Sequence, residues 1–257
     1  MKKAKRGAPA AAKTRLDAVL VARGLAASRE RARALILAGQ VRVNGAMISK
    51  AGAPVDPDAE VTLVEPDHPY VGRGGVKLAH ALETFGIKVA GRLALDVGAS
   101  TGGFTDVLLR RGAPRVVALD VGHGQLDWKL RSDPRVIVLE RINARTLTPN
   151  QLPTGARAFD VVTMDVSFIS VRQILPSIVP LLRPDADVVV LVKPQFEAGR
   201  EEVGKGGLVR DPDVHTRVVE EVTAAASALG LTRIAMTESP ITGTEGNREF
   251  LLHLRHG

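Results

Sequence analysis

The stretch Leu93-Ala94-Leu95-Asp96-Val97-Gly98-Ala99-Ser100-Thr101-Gly102-Gly103-Phe104-Thr105-Asp106 decides the fold. A short apolar run ends in an acid, a glycine-rich turn follows, and a helix-like segment comes next. Strand, tight loop and helix N-terminus in that order are the layout of a nucleotide-type site in a doubly wound sheet. Glycines in the turn lack Cβ and accept positive φ, so backbone and ligand can approach closely. The spacing D-x-G-x-x-x-G differs from the dinucleotide fingerprint and from the P-loop. No Gly-Lys-Ser/Thr follows it, which argues against a triphosphate cradle. The next apolar run, Arg115 to Asp120, also ends in an acid, placed to accept hydrogen bonds from ribose hydroxyls.

Around this stretch the chain alternates. Strands are expected at 92–97, 115–120, 135–139, 159–165, 187–192, 232–237 and 249–254, and helices at about 75–85, 103–111, 123–131, 170–182 and 214–229. The alternation predicts an α/β, Rossmann-like parallel sheet with helices on both faces. The last two strands are expected to form an antiparallel edge. Residues 65–74 (EPDHPYVGRG) are rich in Pro and Gly and read as a linker, making 75–257 the large domain.

Ahead of the linker, residues 15–64 read as a small α+β domain. Leu16, Val19, Leu20 and Val21 form an apolar stripe that stops at Gly24. Ser28 is placed to cap a second helix that Gly39 closes. Val41 to Ile48 reads as a hairpin about Asn44-Gly45. Residues 15–50 hold seven Lys/Arg against two Asp/Glu. Arg15, Arg29, Arg31, Arg33, Arg42 and Lys50 are therefore candidates for contact with a polyanion. Residues 1–14 are basic and read as a solvated tail.

Composition closes other routes. The chain of 257 residues has no cysteine, which excludes disulfides, zinc–thiolate sites and thiolate nucleophiles. No apolar run approaches the ~18 residues of a membrane span. The basic start is not followed by an apolar segment of the secretory kind, so a cytoplasmic setting is expected.

The glycine loop resembles motif I of S-adenosylmethionine-dependent methyltransferases. That resemblance makes Asp96, Gly98, Ser100, Gly102 and Phe104 candidates for the methionine side of the cofactor, Asp120 for its ribose, and Asn143 for its adenine. Ligands of open α/β sheets bind outside the carboxyl ends of the strands. Two further strands end in polar residues there, Asp165 in Met164-Asp165-Val166-Ser167-Phe168 and Lys193 before Pro194. Exocyclic amine methylation would call for Asn/Asp-Pro-Pro-aromatic, which is absent. Carbon methylation by cysteine is impossible. An oxygen acceptor remains, and a lysine of lowered pKa can assist it.

The small domain resembles the RNA-binding domain first described in a ribosomal small-subunit protein and shared with pseudouridine synthases. Lys77, Asp165, Lys193 and Glu249 resemble the K-D-K-E tetrad of FtsJ-type RNA ribose 2′-O-methyltransferases. From Arg15 onward the chain resembles the TlyA family, also called haemolysin A. The runs RLDAVLVARG, YVGRGGVKL, LDVGASTGGFTD, MDVSFIS, LVKPQFEAGREEVGKGG and GNREFLLHL carry the likeness. Where that family has Arg-x-Trp-Val, this chain has His68-Pro69-Tyr70-Val71. The resemblance implies ribose methylation of ribosomal RNA, on cytidine, by a monomer acting on ribosomal RNA or subunits, with S-adenosyl-L-methionine and without metal or membrane. Lys193 is then the base, Lys77 steers the acceptor, and Asp165 and Glu249 orient the lysines. The segment 197–213 is expected to be a lid. The alternative is a membrane-lytic protein acting through a basic helix near 28–38.

Overall fold

The computed structural model describes residues 13–26, 28–64 and 68–257. Most of the expected basic tail, and residues 65–67 of the expected linker, lie outside the described residues. The chain divides into two compact units at residues 67 and 68.

The small unit runs β1 (Thr14–Arg15), α1 (Leu16–Ala22), α2 (Arg29–Leu37), β2 (Val41–Val43), β3 (Ala46–Met47), β4 (Pro54–Val55) and β5 (Val61–Leu63). Strands β3, β2 and β5 form one small sheet, and β1 pairs with β4. Helix α1 is followed by Gly24 at φ +70°, a left-handed stop that costs glycine nothing. Ser28 caps α2 by accepting a hydrogen bond from Arg31 N at 3.2 Å. Leu16, Leu20, Ala32, Leu35, Ile36, Val41, Val43, Val55 and Val61 fill one core.

The large unit runs α3 (Gly74–Thr84), β6 (Leu93–Val97), α4 (Gly103–Arg110), β7 (Arg115–Asp120), α5 (Trp128–Arg131) and β8 (Val136–Glu140). It continues with β9 (Phe159–Met164), α6 (Leu175–Ile178), β10 (Leu182–Val192), α7 (Pro194–Glu197), α8 (Pro212–Ser227), β11 (Leu231–Glu238) and β12 (Phe250–His256). One seven-stranded sheet has the order β11-β12-β10-β9-β6-β7-β8. Its central strands are apolar on both faces because a core packs on each side. From β6 the chain steps outward over β7 and β8. It then returns to lay β9 on the opposite side of β6. That reversal opens a crevice at the carboxyl ends of β6 and β9.

Two expectations change. The helix expected over 123–131 shrinks to α5. Its first residues are held otherwise, because Asp120 accepts from Gly122 N at 2.6 Å and Glu140 from Gly124 N at 2.9 Å. The helix expected over 170–182 is cut to α6 with a 3₁₀ turn on each side, since Pro176 and Pro180 remove backbone donors. The final two strands form the expected antiparallel edge, with β12 between β10 and β11.

At the far end of the sheet, Asp187 fastens three segments. Its carboxylate meets Arg92 Nη1 at 2.6 Å, His253 Nε2 at 2.7 Å and Arg255 Nη2 at 2.8 Å. Burial alone would raise its pKa, but these partners hold it well below the ordinary carboxylate range.

Candidate active site

The glycine loop crosses the carboxyl end of β6 under tight steric limits. Gly98 has φ +85°, and its N–H donates to Leu119 O at 2.8 Å. A Cβ there would overlap the Asp165 carbonyl oxygen and lie 2.9 Å from the carbonyl carbon. Gly102 has φ +96° and opens α4. Between them Ser100 takes φ +47°, uncommon for a non-glycine residue. Asp120 steadies this bend by accepting from Ser100 N at 2.8 Å. Each Asp120 oxygen already bound to a backbone N–H keeps a further lone pair.

Two expected cofactor residues lie beneath the loop. Asp96 is fully buried, and its carboxylate accepts from Thr105 Oγ1 at 2.7 Å and Thr163 Oγ1 at 3.0 Å. Phe104 is buried in the core of its face of the sheet. Both support the loop from below. Asn143 is exposed just past β8, where its side-chain oxygen accepts from Arg145 N at 3.0 Å.

Burial, with a smaller push from the charge of Asp165, raises the Asp96 carboxyl to about 7 against the opposing Thr105 and Thr163 hydrogen bonds. An unfolded Asp loses its proton near pH ~4. Between that pH and about 7 the folded state binds more protons, so stability falls as pH rises. Above that window the loss is complete. The near-isosteric Asp96→Asn removes this slope. Urea midpoints measured across the same window should be flatter for the variant than for the parent, and parallel curves would refute the assignment.

The N-termini of α3 and α4 meet through glycines. A Cβ on Gly103 would stand 2.8 Å from Gly75 N and 3.1 Å from Gly72 O. This close crossing brings Lys77, one turn into α3, to the crevice. Residues just before α3 belong to the same unit. Val71 N donates to Asp106 Oδ2 at 3.1 Å, and the Arg110 guanidinium lies over the Tyr70 ring at 5.8 Å.

Four polar side chains then form two ion pairs. Lys77 Nζ donates to Glu249 Oε2, with the carboxylate nearly buried. Lys193 Nζ lies 2.6 Å from Asp165 Oδ1 and donates to Ser167 Oγ at 2.9 Å. Burial would raise the Asp165 carboxyl, but the charge of Lys193, then that of Lys77, leaves it below the ordinary value. Arg248 pairs with Glu238 and not with its neighbour Glu249, since successive residues of an extended chain face opposite ways. Pro194 starts α7 directly after Lys193 and fixes the turn.

Sequence reasoning did not single out Ser167, which bonds Lys193, or Phe168, the next residue. Phe168 is 92% exposed at φ +66°, with its ring centroid 5.3 Å from that of Phe196. The sequence showed an aromatic after a strand end, but neither its exposure nor its backbone. The expected lid over 197–213 is tied down. Asn247 donates to Gly207 O at 2.8 Å and accepts from Val209 N at 2.9 Å, while Arg217 pairs with Glu202 at 2.5 Å.

In the small unit, Arg15, Arg29 and Arg33 converge on one buried carboxylate, Asp17, at 2.7, 3.2 and 3.4 Å. Arg15 first, then Arg29 and Arg33, hold that carboxyl far below its ordinary range despite burial. The three guanidinium side chains stay half-exposed. Arg31 lies off this face, two residues from either helix partner. Arg42 on β2 and Lys50 after β3 are exposed.

The FtsJ-like methyltransferase family matches residues 70–256, and the S4 domain matches residues 14–61. The chain is 51% identical over 246 residues to the 16S/23S rRNA (cytidine-2′-O)-methyltransferase TlyA of Mycobacterium tuberculosis, covering 95% of this chain and 91% of the relative. It is 41% identical to Hemolysin A of Brachyspira hyodysenteriae, covering 93% and 98% of the two chains. A solved structure named as a hemolysin, from Streptococcus thermophilus, superimposes with a TM-score of 0.73 at 43% identity, covering 95% of this chain and 89% of the other. Sequence, domain order and fold agree, and the chain belongs to the TlyA family of FtsJ-like methyltransferases that carry an S4 domain.

Proposed function

We infer that this chain transfers a methyl group from S-adenosylmethionine to a ribose 2′-hydroxyl of ribosomal RNA, with cytidine as the nucleoside. The observation that carries this reading is the pairing of Lys193 with Asp165 and of Lys77 with Glu249 beside the glycine loop. The relative TlyA bears this activity in its name, and the S4 match supplies an RNA-binding module. The reading places the enzyme in the cytoplasm with its ribosomal substrate.

The loop suits the cofactor. Gly98 and Gly102 let the loop pack closely against Asp165 and against Leu126 and Leu130, where a Cβ would not fit, and the N-terminus of α4 and the spare lone pairs of Asp120 line its rim. Gly98, Ser100 and Gly102 would hold the methionine end, Asp120 the ribose hydroxyls, and Asn143 the adenine edge. Asp96 and Phe104 would keep the loop in shape from below. When bound, S-adenosylmethionine supplies an electrophilic methyl group.

The protein's own residues handle the acceptor. The neutral amine form of Lys193 takes the proton of the 2′-hydroxyl and becomes the ammonium that pairs with Asp165. Asp165 and Ser167 aim that nitrogen. Lys77, held by Glu249, presents a second positive charge that steers the oxygen. Holding the reacting atoms in line accounts for much of the acceleration. Methyl transfer from labelled cofactor to ribosomal subunits, followed by mapping of an alkali-resistant linkage, tests the whole reading. A methyl group found on a base would refute it.

The arginine cluster on Asp17 supports RNA contact by the small unit. Charge reversal there would set new carboxylates against Asp17, so neutral variants are the cleaner test. Arg29→Gln with Arg33→Gln should weaken RNA binding and lower the salt slope by about one per lost phosphate contact. Calorimetry should find the cofactor affinity unchanged. An unaltered salt slope would remove these arginines from the interface. Helix α2, the candidate for membrane lysis, buries Ala32, Ala34, Leu35 and Ile36 in its own unit, so its apolar face is already taken.

A further inference from the structure

Pairing between β9 and β10 ends at Met164 and Val190. Beyond those residues no strand ladder joins the segment carrying Asp165, Ser167 and Phe168 to the segment carrying Lys193 and Phe196. Side chains join them instead. Two of these joins, Lys193 to Asp165 and Lys193 to Ser167, involve the nitrogen that must engage the acceptor. They have to rearrange during the reaction. A lasting connection is needed elsewhere.

Glu197 provides one. Its side chain is 1% exposed. Oε2 accepts from Ser170 Oγ at 2.5 Å and from Arg172 Nε at 3.2 Å. Oε1 accepts from Val171 N at 2.8 Å. Arg172 closes a ring by donating through Nη2 to the Glu197 carbonyl oxygen at 3.0 Å. Its Nη1 reaches Glu221 on α8 at 2.8 Å. A buried carboxylate just after Phe196 thus grips the three residues that follow the Phe168 turn. Burial pushes this carboxyl up, so the site is costly to keep charged and needs every donor it has.

We propose that Glu197 is a positioning residue that locks the Asp165–Phe168 segment to the Lys193–Phe196 segment and so sets the rate of methyl transfer without touching cofactor or acceptor. This rests on the ribose methyltransferase reading above. Glu197→Gln keeps the shape, but its amide replaces one acceptor oxygen with a donor that faces other donors. The two segments then lose their fixed spacing, and a small misplacement of reacting groups lowers kcat by a factor on the order of 10–100.

The experiment measures kcat and KM with ribosomal subunits, cofactor affinity by calorimetry, and the unfolding midpoint. The expected result is a large fall in kcat, with the KM for subunits and the cofactor affinity close to wild type. Ser170→Ala, which removes one of the bonds, should give a smaller fall in the same direction, and it carries the test if Glu197→Gln does not fold. Wild-type kcat in the folded variants would overturn the proposal. So would a parallel loss of cofactor affinity and kcat, the mark of general structural damage. Failure of the wild-type enzyme to methylate ribose would instead strike the function from which the proposal starts.

Discussion

Lys193→Arg is expected to abolish methyl transfer while leaving the fold and the cofactor affinity in place. Lys193 Nζ stands 2.6 Å from Asp165 and 2.9 Å from Ser167, with little of the side chain exposed. Arginine keeps the charge, and so keeps Asp165 paired. It cannot give up a proton at accessible pH, and its planar fork cannot place one compact nitrogen against a hydroxyl. A positioned general base contributes about 10²–10⁴-fold, and that factor is what the substitution removes. Lys193→Ala should be equally inactive. The assay is transfer of a labelled methyl group to ribosomal subunits, read as alkali resistance of the modified linkage. An arginine enzyme working at near wild-type rate would eliminate proton handling by Lys193.

Gly98→Ala should be almost as damaging, through the cofactor instead of the acceptor. At φ +85° an L-residue pays a backbone penalty of about 1–2 kcal/mol. The added methyl would also press into the carbonyl of Asp165. Relief requires the loop and the β9 end to separate, which disturbs the cofactor floor and the Lys193 pair together. Calorimetry with the cofactor should show affinity reduced by at least an order of magnitude, about 1.4 kcal/mol or more. Thermal unfolding should show a protein that is weakened but still folded. Wild-type cofactor affinity in Gly98→Ala would mean that this crossing is not part of the cofactor site.

Much of this architecture was legible because buried parallel strands read as unbroken apolar runs. Gly98, Asp120, Asp165 and Lys193 could be placed at strand ends for that reason alone. What escaped was set by contacts between distant residues. The 123–131 segment has the apolar spacing of a helix, yet the Asp120 and Glu140 carboxylates claim the backbone donors of Gly122 and Gly124, just before and at its start. For Glu249 the resemblance implied only that it orients a lysine. The fold shows that this lysine is Lys77, far away in the chain. Glu197 looked like one more charge in a loop, and its burial follows from where the segment after β9 happens to pass.

The four side chains at the crevice comprise two cations and two anions, each cation in contact with one anion. These four side chains together are electrically neutral, although the protein as a whole is strongly basic. A neutral group of this kind exerts little long-range pull on a polyanion. If the proposed function holds, capture of the substrate and chemistry on it should respond to different parts of the molecule. On the proposed reading, ionic strength is expected to act on the arrival of RNA at the arginine-rich front unit, and much less on a step among these paired side chains.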